Sequence, residues 1–289
     1  MRRGPFVCLS VTARAAFCLF AALLTAGSAA LFSPAGAAEP DGLLPVIMYH
    51  SVLRNPDRAG SYVVSPDTVE ADFRFLREKG YRSLTAREAA ALAAAGKEFP
   101  EKSVMITFDD GFLNNLTYVL PLLEKYDFKA VIAVVGSYSE QYSDTPDPNP
   151  AYAYLNWEEI CAAASSGRVE IANHSYAMHR EWPRKGSSRL RKESAEAYAD
   201  AFRRDVSRTQ ELLCEHCGII PTTYAYPFGS IGEGSGALLS EMGFTAALTC
   251  TEQLNACEQT EDGLLLLGRF NRPSGISTEK FMKKLGICS

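Results

Sequence analysis

The sequence predicts a single α/β domain of barrel type, and three observations carry that reading. Short apolar runs recur along the chain, separated by amphipathic or alanine-rich stretches, which is the pattern of βαβ units and a parallel sheet. The runs are continuously apolar rather than alternating, as strands covered on both faces require. No internal repeat and no linker divides the chain after its first 38 residues. The 289 residues are 47% apolar and 22% charged, a globular balance that excludes collagen-like, disordered and multi-span membrane chains.

Residues 44–50 form the first buried strand. Ser65-Pro66 opens an amphipathic helix whose Val69, Phe73 and Leu76 share one face, and Gly80 closes it. An alanine-rich helix covers 86–95, a strand 103–108, a helix 112–126 and a strand 128–135. Residues 138–156 interrupt the rhythm as a long loop. It holds Tyr138, Tyr142, Tyr152 and Tyr154, poised either to stack on sugar rings or to pack on the barrel. A helix over 157–164, a strand over 169–172 and a long polar helix over 187–213 come next. A strand at 222–226, a helix at 236–242, strands at 244–249 and 264–267, and a helix at 278–285 complete the pattern.

The first residues read differently. Arg2, Arg3 and Arg14 flank an apolar stretch over 15–32, and Pro34-Ala-Gly-Ala-Ala38 offers small residues for cleavage. Residues 1–38 are therefore expected to be a signal peptide and 39–289 the folded domain; an uncleaved anchor is the alternative that length permits. Cleavage removes three arginines and no acids, taking the formal charge from −5 to −8. The reading is an acidic bacterial protein, secreted or at the cell surface, with no stable membrane span after cleavage. Its charge gives no support for a nucleic-acid or anionic-lipid partner. Six cysteines remain after residue 38, an even number that predicts disulfides in an oxidising compartment. Cys250 and Cys257 flank a loop and could pair. Cys214-Glu-His-Cys217 reads as disulfide or free thiols rather than half of a zinc knuckle, because no second Cys-x-x-Cys exists.

The chemistry concentrates in few residues. Three of the four histidines, His50, His174 and His179, fall at or just after expected strands, and Asp109-Asp110-Gly111 follows another. In parallel α/β folds the C-terminal strand ends carry the site. Two adjacent carboxylates repel unless a cation lies between them and the solvent. Two histidines and one carboxylate are a recurring zinc set with an open position. His174 and His179 are five apart, out of register for one helix face, so a turn must bring His179 back.

Thr107-Phe-Asp-Asp-Gly111 resembles the first motif of the polysaccharide deacetylases, the NodB-homology or carbohydrate esterase family 4 group. His174-Ser175 through His179 resembles their second motif, and Tyr224-Ala-Tyr-Pro-Phe-Gly229 their third. Pro45-Val-Ile-Met-Tyr-His50 and Leu155-Asn-Trp157 recur in one branch of the family. The resemblance implies a distorted (β/α)₇-type barrel and metal-dependent removal of acetyl groups from N-acetylglucosamine-containing polymers. It makes Asp110, His174 and His179 the ligands of one divalent ion, most simply zinc, and Asp109 the general base. The backbone N–H of Phe228 would help hold an oxyanion. Tyr226, Trp157 and Tyr49 join Phe228 as expected substrate-binding residues.

Three departures matter. The histidine spacing is five where many members have four. Ala225 stands where many have an arginine that orients the base. The stretch Leu264-Leu-Leu-Leu-Gly-Arg-Phe-Asn271 lacks the Leu-x-His acid of many members. All three resemble the exopolysaccharide branch that deacetylates poly-β-1,6-N-acetylglucosamine. There a Met-Tyr-His histidine replaces the missing acid, which makes His50 the expected acid; a neighbouring Asp109 would raise its pKa and hold it protonated, and Arg269, just past the strand at 264–267, could replace the missing arginine partner of Asp109. An acetylated polysaccharide is thus the expected partner. A non-catalytic carbohydrate binder on the same scaffold, an O-acetyl xylan esterase and a structural surface protein are the competing readings.

Overall fold

The computed structural model describes residues 42–257 and 264–287. The expected signal peptide and Cys288 lie outside the described residues. Eight strands form the main path of one sheet: β1 (Val46–Tyr49), β2 (Ser103–Phe108), β3 (Ala130–Val134), β4 (Val169–Asn173), β5 (Thr223–Ala225), β6 (Ala246–Leu248), β7 (Leu264–Leu267) and β8 (Phe270–Asn271). Their spatial order is β7-β6-β5-β4-β3-β2-β1-β8, every pairing is parallel, and Arg82–Ser83 adds a short strand beside β2. The two ends of that order, β7 and β8, are consecutive in the chain and joined only by Gly268 and Arg269. A sheet whose edges are tied by two residues must curl, which gives the expected distorted barrel.

The continuously apolar runs are explained by burial on both faces. Val104, Ile106 and Phe108 pack with helix-borne Val69, Phe73 and Leu123. Their neighbour Met105 points to a second cluster with Val131, Ala133, Ala172, Ala225 and Ala246, as the two-residue period of a strand demands. Helix α1 (Pro66–Glu78) starts where Ser65 Oγ accepts the Thr68 N–H, and α2 (Ala86–Ala94) starts at a Thr85–Glu88 capping box.

Three expectations need correction. The helix expected over 112–126 is a π-type turn at Asn115–Val119 followed by α3 (Leu120–Tyr126); Pro121 has no N–H to donate back to Thr117, so the ladder widens there. The long loop is shorter, because α4 (Gly136–Asp144) occupies its first part and only 145–156 is irregular before α5 (Trp157–Ser165). The polar helix begins eight residues late and ends four late: α6 spans Ala195–Cys217, opened by Ser194 and closed by Gly218 at φ 66°. Helices α7 (Ser235–Glu241) and α8 (Thr278–Lys284) match their expected places.

The cysteines also differ from expectation. Cys161 of α5 and Cys217 of α6 form a disulfide with Cα atoms 5.2 Å apart. Cys250 and Cys257 are not paired with each other; both are free thiols, as is Cys214. Cys214 and Cys217 lie at the end of α6, and among the described residues the one group of such side chains that could hold a metal is Asp110, His174 and His179.

Candidate active site

Most residues of interest sit just beyond the ends of parallel strands. His50 follows β1, Asp109 and Asp110 follow β2, His174 follows β4, Phe228 follows β5, and Arg269 lies between β7 and β8. Among the described residues, three of the five non-glycine residues with positive φ are here: Asp110 (72°), Ser175 (71°) and Phe228 (57°). Such strain collects where a fold fixes side chains for chemistry. Gly111 (φ 71°) is required by space as well as by φ, since a Cβ there would lie 3.1 Å from Val134 Cγ1.

Asp110, His174 and His179 converge. Asp110 Oδ1 lies 3.1 Å from His179 Nε2 and 3.5 Å from His174 Nε2, and one ligand atom from each residue falls within 4.8 Å of the others. His174 Nδ1 donates to the Ala225 carbonyl at 2.8 Å. That bond fixes the tautomer and turns the Nε2 lone pair toward Asp110. His179 is set by Phe228, whose ring stacks at 4.6 Å, and by the Tyr138 hydroxyl 3.3 Å from Nδ1. Asp110 Oδ1 is buried yet makes no hydrogen bond. Burial pushes the Asp110 carboxyl up, and the two imidazoles pull it far below the usual carboxylate range. A buried carboxylate oxygen that makes no hydrogen bond and faces two imidazole nitrogens is a place a cation can occupy. The donor set of two nitrogens and one oxygen fits a divalent ion such as zinc.

Asp109 and Arg269 make the second unit. The Arg269 guanidinium is fully buried. It donates to Asp109 Oδ1 at 2.7 Å and Oδ2 at 2.8 Å, to the Thr249 carbonyl at 2.8 Å and to Thr107 Oγ1 at 3.2 Å. Burial raises the Asp109 pKa, but the charge and hydrogen bonds of Arg269 outweigh it and hold the carboxyl below its ordinary value. His50 Nε2 stands 3.9 Å from Asp109 Oδ2, beyond hydrogen-bond reach, and Tyr62 meets its ring edge-on at 4.7 Å. Burial lowers the His50 pKa by more than Asp109 and Asp110 raise it. Burial thus works against the expectation that Asp109 keeps His50 protonated.

Of the four expected substrate-binding residues, only Phe228 reaches the site surface, at 39% exposed. Tyr49 is buried, stacked on Phe108, and its hydroxyl donates to Asp72 at 2.8 Å. Neighbouring residues on a strand face opposite ways, so a Tyr49 turned into the core accompanies a His50 turned to the site. Tyr226 is buried with its hydroxyl on Ser235. Trp157 is buried at the start of α5, with its ring stacked on His216 at 5.1 Å. These three are corrected to structural roles. Tyr154 joins the wall instead, stacked on Phe112 and tilted against Tyr138. Sequence reading missed the Ala225 carbonyl, Thr107 and Tyr62; a backbone carbonyl and a loop tyrosine leave no spacing signal.

A family model described as polysaccharide deacetylase matches residues 96–247, just over half of the chain. That stretch contains Asp109, Asp110, His174, His179 and Phe228 but neither His50 nor Arg269. A poly-beta-1,6-N-acetyl-D-glucosamine N-deacetylase of Escherichia coli (strain K12) is 27% identical over 202 residues, 62% of this chain and 29% of that protein. The chain thus spans under a third of that curated relative. The structure of IcaB from Ammonifex degensii superposes with TM-score 0.67 at 23% identity, covering 85% of this chain and 96% of that one. Streptococcus pyogenes deacetylase PplD in complex with acetate gives 0.68 at 20% identity, covering 84% and 98%. At such identities the likeness speaks for the fold. Among the described residues no helix is long and apolar enough to cross a membrane.

Proposed function

The chain belongs to the polysaccharide deacetylase family, and from that membership we propose a secreted, metal-dependent hydrolase that removes N-acetyl groups from an N-acetylglucosamine polymer, poly-β-1,6-N-acetylglucosamine being the favoured substrate. The carrying observation is the convergence of Asp110, His174 and His179 beside an ionised, buried Asp109. Asp110, His174 and His179 would hold a divalent ion, which when bound would supply Lewis acidity toward the acetyl carbonyl and the attacking water. Asp109 accepts a proton from the attacking water. Arg269 keeps Asp109 charged and aimed through its two-pronged contact. The N–H of Phe228 offers a donor to the oxyanion. His50, with Nε2 3.9 Å from Asp109 Oδ2, is the group placed to deliver a proton to the leaving amine, which as an anion leaves too poorly to depart alone.

The substrate preference is supported by the names of similar proteins and by the three departures from the common motifs. Acetate release should be measured on poly-β-1,6-N-acetylglucosamine, chitin oligomers, peptidoglycan and acetylated xylan, with and without chelator. Release from the first, abolished by chelator and by Asp109→Asn, is expected. Chelator-resistant release, or release from xylan alone, would overturn the reading.

A further inference from the structure

Two metal-ligand candidates five residues apart cannot share one helix face or one strand face, so something must hold the loop that folds His179 back beside His174. Three consecutive amides between them are satisfied by side chains. Asn173 Oδ1 accepts the Ser175 N–H at 2.8 Å. Asp205, on α6, accepts the Tyr176 N–H on Oδ1 at 2.8 Å and the Ala177 N–H on Oδ2 at 2.9 Å. The carbonyls are held from the other side: Gly136 N–H donates to Ser175 O at 3.0 Å and Ser137 N–H to Tyr176 O at 3.1 Å. Asn173 Nδ2 ties the same corner to the Val206 carbonyl of α6 at 3.0 Å. Both oxygens of one carboxylate are thus committed to the two amides midway between the histidines.

We propose that Asp205 is a positioning residue for the metal site: it fixes the loop 174–179 from α6, and the affinity for a divalent ion depends on it although it touches no ligand atom. The inference rests on Asp110, His174 and His179 being the ligands. An ionised carboxylate is the suitable group, because it accepts at both oxygens, whereas an amide presents an N–H₂ to one of the two N–H groups. Outer groups that orient ligands typically carry about 10- to 100-fold in metal affinity.

The full chain, stripped of metal, is titrated with Co²⁺ and read by its visible absorption. Asp205→Asn should bind about 10- to 100-fold more weakly, with an altered absorption band and a nearly unchanged melting temperature. Equal affinity and an identical band would overturn the inference. Hydrogen exchange of the metal-free wild type keeps it testable if the variant does not fold. The Tyr176 and Ala177 amides should be protected before any metal is added, and exchange as fast as in an exposed turn would equally overturn it. A wild type that binds no Co²⁺ at all would sink the ligand assignment and this inference with it, whereas equal binding by the variant sinks the inference alone.

Discussion

Replacing Arg269 by leucine tests whether the buried pair is built as described. The change removes four donated contacts and leaves the Asp109 carboxylate buried without a counter-charge and the Thr249 carbonyl without its partner. Breaking a buried pair from one side costs about 3–5 kcal/mol. For a domain of this size about 1 kcal/mol moves the melting temperature by roughly 2–4 °C, so the loss should be on the order of 6–20 °C. Thermal denaturation followed by circular dichroism measures it. The double variant Arg269→Leu/Asp109→Leu should recover much of the stability, because no lone charge remains buried, while acetate release stays lost. A single variant that melts within a degree or two of wild type would refute the argument, since the charge would then have found water.

Asp109→Asn should retain the metal and lose about 10²- to 10⁴-fold in turnover; loss of metal instead would exchange the roles of Asp109 and Asp110. His179→Ala should abolish stoichiometric metal by elemental analysis, and full occupancy with full activity would exclude it as a ligand. His50→Ala should keep the metal and lose most turnover, near-wild-type rates leaving the leaving amine to another donor. Opening the Cys161–Cys217 bond by a double serine variant releases a loop of 56 residues, worth about 4 kcal/mol of stability by the chain-entropy estimate, read from denaturant melts.

How much was legible depends on how local the signal was. The buried strand Ser103–Phe108 is legible to the residue, because a run covered on both faces carries its evidence within itself. Asp110, His174 and His179 were found because histidines are scarce and strand ends are few. Tyr49 was misassigned because a motif names a residue but not the face of the strand it occupies. The downward pull on the His50 pKa is invisible for a related reason: a neighbouring carboxylate can be read from sequence, whereas the burial that opposes it belongs to the packed whole. Asp205 could not be seen at all, since nothing in Arg203-Arg-Asp205 tells that a carboxylate will meet two amides 28 and 29 residues earlier.

The two-residue junction between β7 and β8 has a consequence for the order in which the molecule becomes competent. Asp109 and Arg269 are 160 positions apart, and Gly268 beside the arginine has no room for a side chain, a Cβ there lying 2.2 Å from Gln253 Cγ. A chain emerging from its amino end carries the carboxylate long before its guanidinium exists. Contacts that distant form only after costly loop closure. Until the final strands dock, the first-built half of the site holds an acid with no counter-ion. Closing the ring of strands and arming the base are consequently one event, and a chain truncated short of residue 269 would carry both histidines and both aspartates yet leave Asp109 without its partner.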